Sequence, residues 1–251
     1  MSPLEQRLLV VVPALNEEQS VGAVVTEVLR EIPGARCLVI DDGSVDQTAA
    51  IARRAGAEVL RLPFNLGVGG AMRAGFRFAQ DYGYPIVVQV DADGQHDTAY
   101  IRPLVAALAD SDIVIGARFA GVGDYGVRGP RKWAMRALAA AVSRVARRRL
   151  TDVTSGFKAT GPAAVRLFAT TYPAEYLGDT VEALVIAARA GLRIDQVAVE
   201  MRVRQGGAPS QHPVRATGHL MRASVAFVLA LMRRTVLVPP PPEEGSEVPS
   251  T

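Results

Sequence analysis

The chain is poor in the residues on which disulfide-stapled, zinc-binding and base-stacking proteins rely. It has one cysteine, Cys37, which sits inside the apolar run Cys37-Leu38-Val39-Ile40 and reads as core. A disulfide frame and a thiolate metal centre are therefore excluded, and a reducing, cytoplasmic compartment fits. The three histidines, His96, His212 and His219, form no ligand-spaced cluster, which argues against a zinc enzyme. Aromatic residues make up only 6% of the chain, and no aromatic-rich strand or zinc-finger spacing supports a nucleic-acid partner. Long apolar runs are missing too: the longest, Ala223 to Met232, is broken by Ser224 and falls short of the roughly 20 residues that span a bilayer. Met1 to Arg7 lacks the pattern of a signal peptide. The expectation is a cytoplasmic protein that at most touches the inner face of the membrane.

What is present is enough for a full core. In 251 residues, 49% are hydrophobic, which suits one α/β domain with a terminal appendage. The net charge of +3 understates a basic body, because Glu243, Glu244 and Glu247 lie in the tail. Arg128, Arg131, Lys132, Arg136, Arg144, Arg147, Arg148 and Arg149 crowd one region, a pattern suited to anionic lipid or a phosphorylated substrate. It also reads as an ordinary solvated face.

The most informative stretch is Ile86-Val87-Val88-Gln89-Val90, stopped by Asp91-Ala92-Asp93-Gly94-Gln95-His96-Asp97. Short and β-branched, it predicts a buried strand delivering acids to its C-terminal mouth. If the chain stays extended past Val90, the period of two sends the Asp91 and Asp93 side chains the same way. Two adjacent carboxylates need a raised pKa or a cation. An all-oxygen set of Asp91, Asp93 and Gln95 suits Mg²⁺ or Mn²⁺, and such an ion fills its other positions with water and substrate phosphates. The competing reading is an acidic turn capping a helix that starts near Thr98. His96 is open in the same way, as a ligand, a proton carrier or a hydrogen-bonding bystander.

In order, strands are predicted over Leu8 to Val12, Arg36 to Ile40, Glu58 to Leu62, Ile86 to Val90, Ser111 to Gly116 and Ile194 to Val203. Helices are predicted from Asn16 to Glu31, Asp46 to Arg54, Gly67 to Gln80, Trp133 to Arg149, Gly161 onward, Leu177 to Ala190 and Val214 to Arg234. The alternation implies a mostly parallel sheet between helix layers, with ligands at the carboxyl ends of its strands. Three such ends carry Pro13-Ala14-Leu15-Asn16-Glu17, Asp41-Asp42-Gly43-Ser44 and Asp91-Ala92-Asp93. Asn65-Leu66-Gly67-Val68-Gly69-Gly70 fails as a dinucleotide fingerprint, since Met72 stands where the third glycine belongs. Its glycines allow close approach to a ligand or a neighbouring helix. Three parts are expected: residues 1–205 as the catalytic domain, 206–236 as a flexible loop and amphipathic helix, and 237–251 as a disordered tail. That helix is read as docking on the body or on a homodimer partner, or as lying in a membrane interface.

Together the motifs resemble family 2 glycosyltransferases of the GT-A fold, a Rossmann-like α/β architecture, especially the dolichyl- and polyprenyl-phosphate mannose and glucose synthases. The matching pieces are Val11 to Glu18, Asp41 to Thr48, Asn65-Leu66-Gly67 with Ala71, Asp91 to His96, Gly116-Ala117-Arg118 and Ser155-Gly156-Phe157-Lys158. The resemblance implies a nucleotide-sugar donor held by Pro13, Ala14, Leu15, Glu17, Asp42, Asp91 and Ala92, and Mg²⁺ or Mn²⁺ on Asp91, Asp93 and Gln95. It implies that Arg118, Arg131 and Arg204 face phosphates. The loop after Arg204 usually carries lysine in that branch and here reads Gly206-Gly207-Ala208-Pro209-Ser210-Gln211, so polyprenyl phosphate and a sugar both stand as acceptors. A sugar hydroxyl needs a base, for which Asp179 and Glu182 are candidates beside Asp93; a phosphate arrives ionised. Both acids also read as favourable N-terminal helix charges. A sugar nucleotidyltransferase and a catalytically inactive nucleotide-binding module are the remaining alternatives.

Overall fold

The structure, a computed structural model, describes residues 7–118, 130–173, 179–202, 231 and 237–240, with the side chains of 130–134 and 179 outside the description. Its frame is a seven-stranded sheet ordered β3-β2-β1-β4-β6-β5-β7. The strands are β1 (Leu8–Ala14), β2 (Arg36–Asp41), β3 (Glu58–Arg61), β4 (Ile86–Gln89), β5 (Ile113–Ala117), β6 (Lys158–Thr160) and β7 (Ile194–Ala198). All run parallel except β6, which is antiparallel to both β4 and β5. Strand β1 is buried along its whole length. Its residues alternate in destination: Leu9 and Val11 join the core on one face, and Leu8, Val10 and Val12 the core on the other. That is why β1 reads as a continuous apolar run rather than an alternating one.

Among the described residues seven helices cover the two faces: α1 (Val21–Glu31), α2 (Thr48–Arg54), α3 (Gly67–Asp81), α4 (Ile101–Ala106), α5 (Pro130–Ala146), α6 (Pro162–Thr171) and α7 (Asp179–Arg189). Helices α3, α5, α6 and α7 close one core through Met72, Phe76, Val142, Leu167 and Leu184. Helices α1, α2 and α4 close the other through Val25, Val28, Ala52, Ile101 and Leu104. The expected α/β fold with a mostly parallel sheet between helix layers is the one observed.

Several expected boundaries move, each for a local reason. Helix α1 starts at Val21 rather than Asn16, because Asn16 adopts a left-handed φ of 55° and the Glu17 carbonyl first accepts from the amides of Ser20 and Val21. Helix α2 starts at Thr48 rather than Asp46, whose carboxylate caps the Thr48 amide at 2.9 Å. The helix expected at Thr98 opens as a short 3₁₀ turn, Thr98–Tyr100, capped by Asp97. Strand β6 is unanticipated. Being reversed, it brings the residues that precede it, Asp152 to Phe157, to the mouth where its parallel neighbours end. On α5, the Ser143 hydroxyl donates to the Ala139 carbonyl and accepts from the Leu150 amide. The last predicted helix, with Arg204 and the loop after it, falls outside the described residues. Of the predicted tail, Val238 packs against the core and Arg166 donates to the Pro239 carbonyl at 3.0 Å. Among the described residues no helix is long and apolar enough to cross a membrane.

Candidate active site

Two of the three expected strand ends are joined by side chains bonded to main chain. The amides of Asn16 and Glu17, following β1, donate to the hydroxyls of Ser44 and Thr48, each at 2.9 Å. In return Asn16 Oδ1 accepts from the Val45 amide, and the Glu18 carboxylate from the Gln47 amide. Glu17 accepts from the Ser20 hydroxyl at 2.9 Å. Pro13 and Ala14 are buried, while Leu15 is exposed at the mouth.

Asp42, expected to hold a nucleoside, is 4% exposed and grips the next loop. Its Oδ1 accepts from the Leu66 amide at 2.7 Å and its Oδ2 from the Gly67 amide at 2.8 Å, which fixes the start of α3. Burial pushes its pKa up, against the pull of those two amides. Within that turn, a Cβ on Gly70 would stand 2.5 Å from Leu66 Cβ, so this glycine serves its own helix start. Neighbouring Asp41 accepts from the Ser44 amide and pairs with Arg61 at 3.2 Å.

The third strand end behaves differently. The chain turns at Ala92-Asp93 instead of continuing extended, and Gly94 takes a φ of 76°. The premise that one extended run aims Asp91 and Asp93 together is thus replaced: one carboxylate leaves the strand end, the other a turn, where Asp93 Oδ1 accepts from the Gln95 amide at 3.0 Å. Asp91 keeps 38% of its side chain exposed, and Asp93 and Gln95 are half-buried. Asp91 Oδ1 accepts from Gln89 Nε2 at 3.2 Å, and its backbone amide donates to His96 Nδ1 at 3.0 Å. Arg202, beyond β7, fastens the far side of this loop. Its amide donates to the Gln95 carbonyl, and its guanidinium pairs with Asp97 at 2.7 Å and Glu27 at 2.6 Å.

The loop entering the reversed strand β6 closes the site. A Cβ on Gly156 would stand 2.9 and 3.0 Å from the two oxygens of Asp91, so any larger residue there would push that carboxylate aside. The loop is anchored by Asp152, whose side chain has no exposure. Arg118, expected to meet a phosphate, commits its backbone amide, Nε and Nη2 to Asp152 and Thr154, with Nε 2.6 Å from the carboxylate. Burial pulls the Asp152 pKa up, but the hydrogen bonds from Arg118 and the Thr154 amide outweigh it and hold it below the ordinary aspartate value. Lys158 is buried with its ammonium 3.3 Å from the Tyr172 hydroxyl. Glu182 on α7 is buried too. The side chains of Asp179 and Arg131, and all of Arg204, lie outside the described residues.

Among the described residues no group of three or more His, Cys, Asp and Glu surrounds a common point. A hard divalent cation needs no such group: Mg²⁺ commonly takes one or two protein carboxylates and completes its shell with water and phosphate. Half-exposed Asp91 and Asp93, neutral-oxygen Gln95 and a wall kept open by Gly156 fit that requirement.

Residues 9–170 match the profile of Glycosyl transferase family 2. The chain belongs to that family. Its fold is GT-A, as in glucosyl-3-phosphoglycerate synthase of Mycobacterium tuberculosis, solved with Mn²⁺, UDP and phosphoglyceric acid. That likeness has a TM-score of 0.66 at 22% identity, over 90% of this chain and 81% of the other. Curated relatives include the undecaprenyl-phosphate mannosyltransferase of Micrococcus luteus, 36% identical over 45% of this chain and 48% of that one. The polyprenol monophosphomannose synthase of Mycolicibacterium smegmatis is 34% identical over 53% of this chain and 51% of that one. The chain thus spans about half the length of the curated relatives it matches.

In this family 2 member, sequence reasoning missed Gln89, Asp152, Gly156 and Arg202. Gln89 had a signal, a lone amide inside an otherwise apolar strand. Asp152 and Arg202 had none, because their partners lie 34 and 105 positions away.

Proposed function

We propose that the chain is a metal-dependent, inverting glycosyltransferase that moves a hexose from a GDP- or UDP-sugar to a polyprenyl phosphate. The observation that carries this reading is the half-exposed pair Asp91 and Asp93 at the C-terminal mouth of the sheet, walled by a glycine, in a chain of family 2. The names of the mannosyltransferase relatives support the acceptor.

In this reading the main chain at Pro13, Ala14, Leu15 and Glu17, with the loop shaped by Asp42, receives the nucleoside, and Ala92 lies against it. Asp91, Asp93 and Gln95 would hold Mg²⁺ or Mn²⁺, which would supply Lewis-acid stabilisation of the departing nucleoside diphosphate. Arg131 and Arg204 are proposed for the acceptor and donor phosphates, where positive potential counters the charge that develops as the bond breaks. An acceptor phosphate oxygen forms the new bond to the anomeric carbon, from the face opposite the breaking glycosyl-phosphate bond, which inverts that centre. No proton has to be removed from an ionised phosphate. A polyprenyl acceptor places the protein in peripheral contact with a membrane.

The test is direct. Full-length chain is incubated with GDP-mannose or UDP-glucose, Mn²⁺ or Mg²⁺, and vesicles carrying undecaprenyl phosphate. A hexosyl-phosphoryl lipid, lost with EDTA and with Asp93→Ala, is the expected product by mass spectrometry. Glycosylation of free sugars with the lipid phosphate untouched would overturn the acceptor assignment.

A further inference from the structure

Beneath the proposed metal loop lies a buried imidazole that the mechanism above does not use. His96 is 4% exposed, and its ring stacks on Phe157 with centroids 4.8 Å apart and planes 13° apart. Its Nδ1 accepts a hydrogen bond from the Asp91 amide at 3.0 Å. A ring nitrogen that accepts carries no proton, so in this arrangement the imidazole N–H is on Nε2. That atom lies 3.5 Å from Asp91 Oδ2. The other carboxylate oxygen, Oδ1, accepts from Gln89 Nε2, and a Cβ added to Gly156 would meet the two oxygens at 2.9 and 3.0 Å. The histidine is itself held in place. Its main chain bridges to Met201, and the residues on either side of it are fastened by Arg202.

We propose that His96 is a positioning residue. With its Nδ1 accepting from the amide of Asp91, it presents Nε2–H to the carboxylate of the same residue across 3.5 Å, a charge–dipole approach longer than a hydrogen bond, and so favours the orientation that meets the donor's cation. The inference rests on the metal-loop reading above and adds to it the group that orients one ligand. Ligating carboxylates are oriented by outer partners in this way, and removing such a partner weakens metal affinity about 10- to 100-fold.

The experiment measures Mn²⁺ binding by electron paramagnetic resonance on the full chain with saturating GDP, and in parallel with UDP. Native protein is compared with His96→Ala, His96→Gln and His96→Asn, each checked for native circular dichroism. The alanine variant is expected to bind Mn²⁺ about 10- to 100-fold more weakly. Glutamine places an amide nitrogen where Nε2 stands and is expected to recover affinity to within about threefold of native. Asparagine replaces only Nδ1 and should stay weak. Should the alanine variant not fold, the contrast between glutamine and asparagine decides. Native affinity in the alanine variant, or equal recovery by asparagine, overturns the positioning role and leaves the metal reading standing. A native chain that binds no Mn²⁺ with either nucleotide removes the metal reading and this inference together.

Discussion

The loops after β1 and β2 and the loop after β4 are all acidic, and all leave the same edge of the sheet, yet they use their acids in opposite ways. In the first pair the carboxylates face inward. Asp42 holds the amides of Leu66 and Gly67, Glu18 holds Gln47, and Asp41 holds Ser44 and Arg61. In the loop after β4, Asp91 remains 38% exposed although Gln89, His96 and Gly156 surround it. The difference lies in what meets each oxygen: Asp42 is buried with a main-chain amide on both, whereas Asp91 takes the side-chain amide of Gln89 and stays partly exposed, and Asp93 takes the Gln95 amide of its own turn.

The contrast breaks most readily at Asp93. Asp93→Ala is expected to slow hexose transfer at least about a thousandfold, a loss of about 4 kcal/mol of transition-state stabilisation. Losing its bond to the Gln95 amide should cost only about 1 kcal/mol of unfolding free energy in urea titrations, far less than the loss in transfer. Retained transfer would show that the exposed acids do no chemistry.

Asp152 should respond in the reverse sense. Its removal leaves the Arg118 guanidinium, 19% exposed, without its carboxylate, and breaking such a pair costs about 3 to 5 kcal/mol. The pH dependence follows from the depressed pKa of Asp152. A carboxylate held below its ordinary value contributes stability that is present above the unfolded value, about 3.9, and is lost as pH falls through the folded one. Asp152→Asn should therefore flatten the acid limb of stability below about pH 4. An unchanged limb would show that the pair contributes nothing.

A smaller effect is expected at Asp42. Asp42→Ala leaves two loop amides without their acceptor and should cost about 1 to 3 kcal/mol of stability. A variant as stable as native that has lost nucleotide affinity would return Asp42 to the donor-binding role first expected of it. The finest test is Gly156→Ala. Its new methyl group would press on both Asp91 oxygens and on Gln89 Nε2, 3.1 Å away. About a tenfold loss of transfer is expected, with little change in melting temperature, since small displacements at a reacting centre act on rate first.

The division between scaffold and site was partly legible in the chain itself. Leu8 to Val12 and Ile86 to Val90 announce buried strands because both faces of the sheet are covered, so every position but Gln89 is apolar until the mouth. The acids that end those strands mark the mouth for the same reason. Strand β6 was not legible, since Lys158-Ala159-Thr160 has no apolar run of its own and is held by the neighbours it bonds to. The roles of Asp42 and Arg118 were hidden too: a carboxylate beside its amides and one beside a ligand look the same in a string of letters. Asn16-Glu17-Glu18 looked like a helix start for a related reason. The amides of those residues donate to side chains of another loop, 28 to 31 positions away.

The Arg202 fastening differs in kind from the bonds between the first two loops. Those are side chains on main-chain amides, which dissolved ions barely weaken, whereas Arg202 joins Glu27 and Asp97 as partly exposed ions. At 1 M salt the screening length shrinks to about 3 Å, so this junction loosens while its neighbours hold. High ionic strength should thus unfasten the Gln95–Asp97 loop from α1 selectively, giving faster amide hydrogen exchange there and an unchanged rate in the loops after β1 and β2.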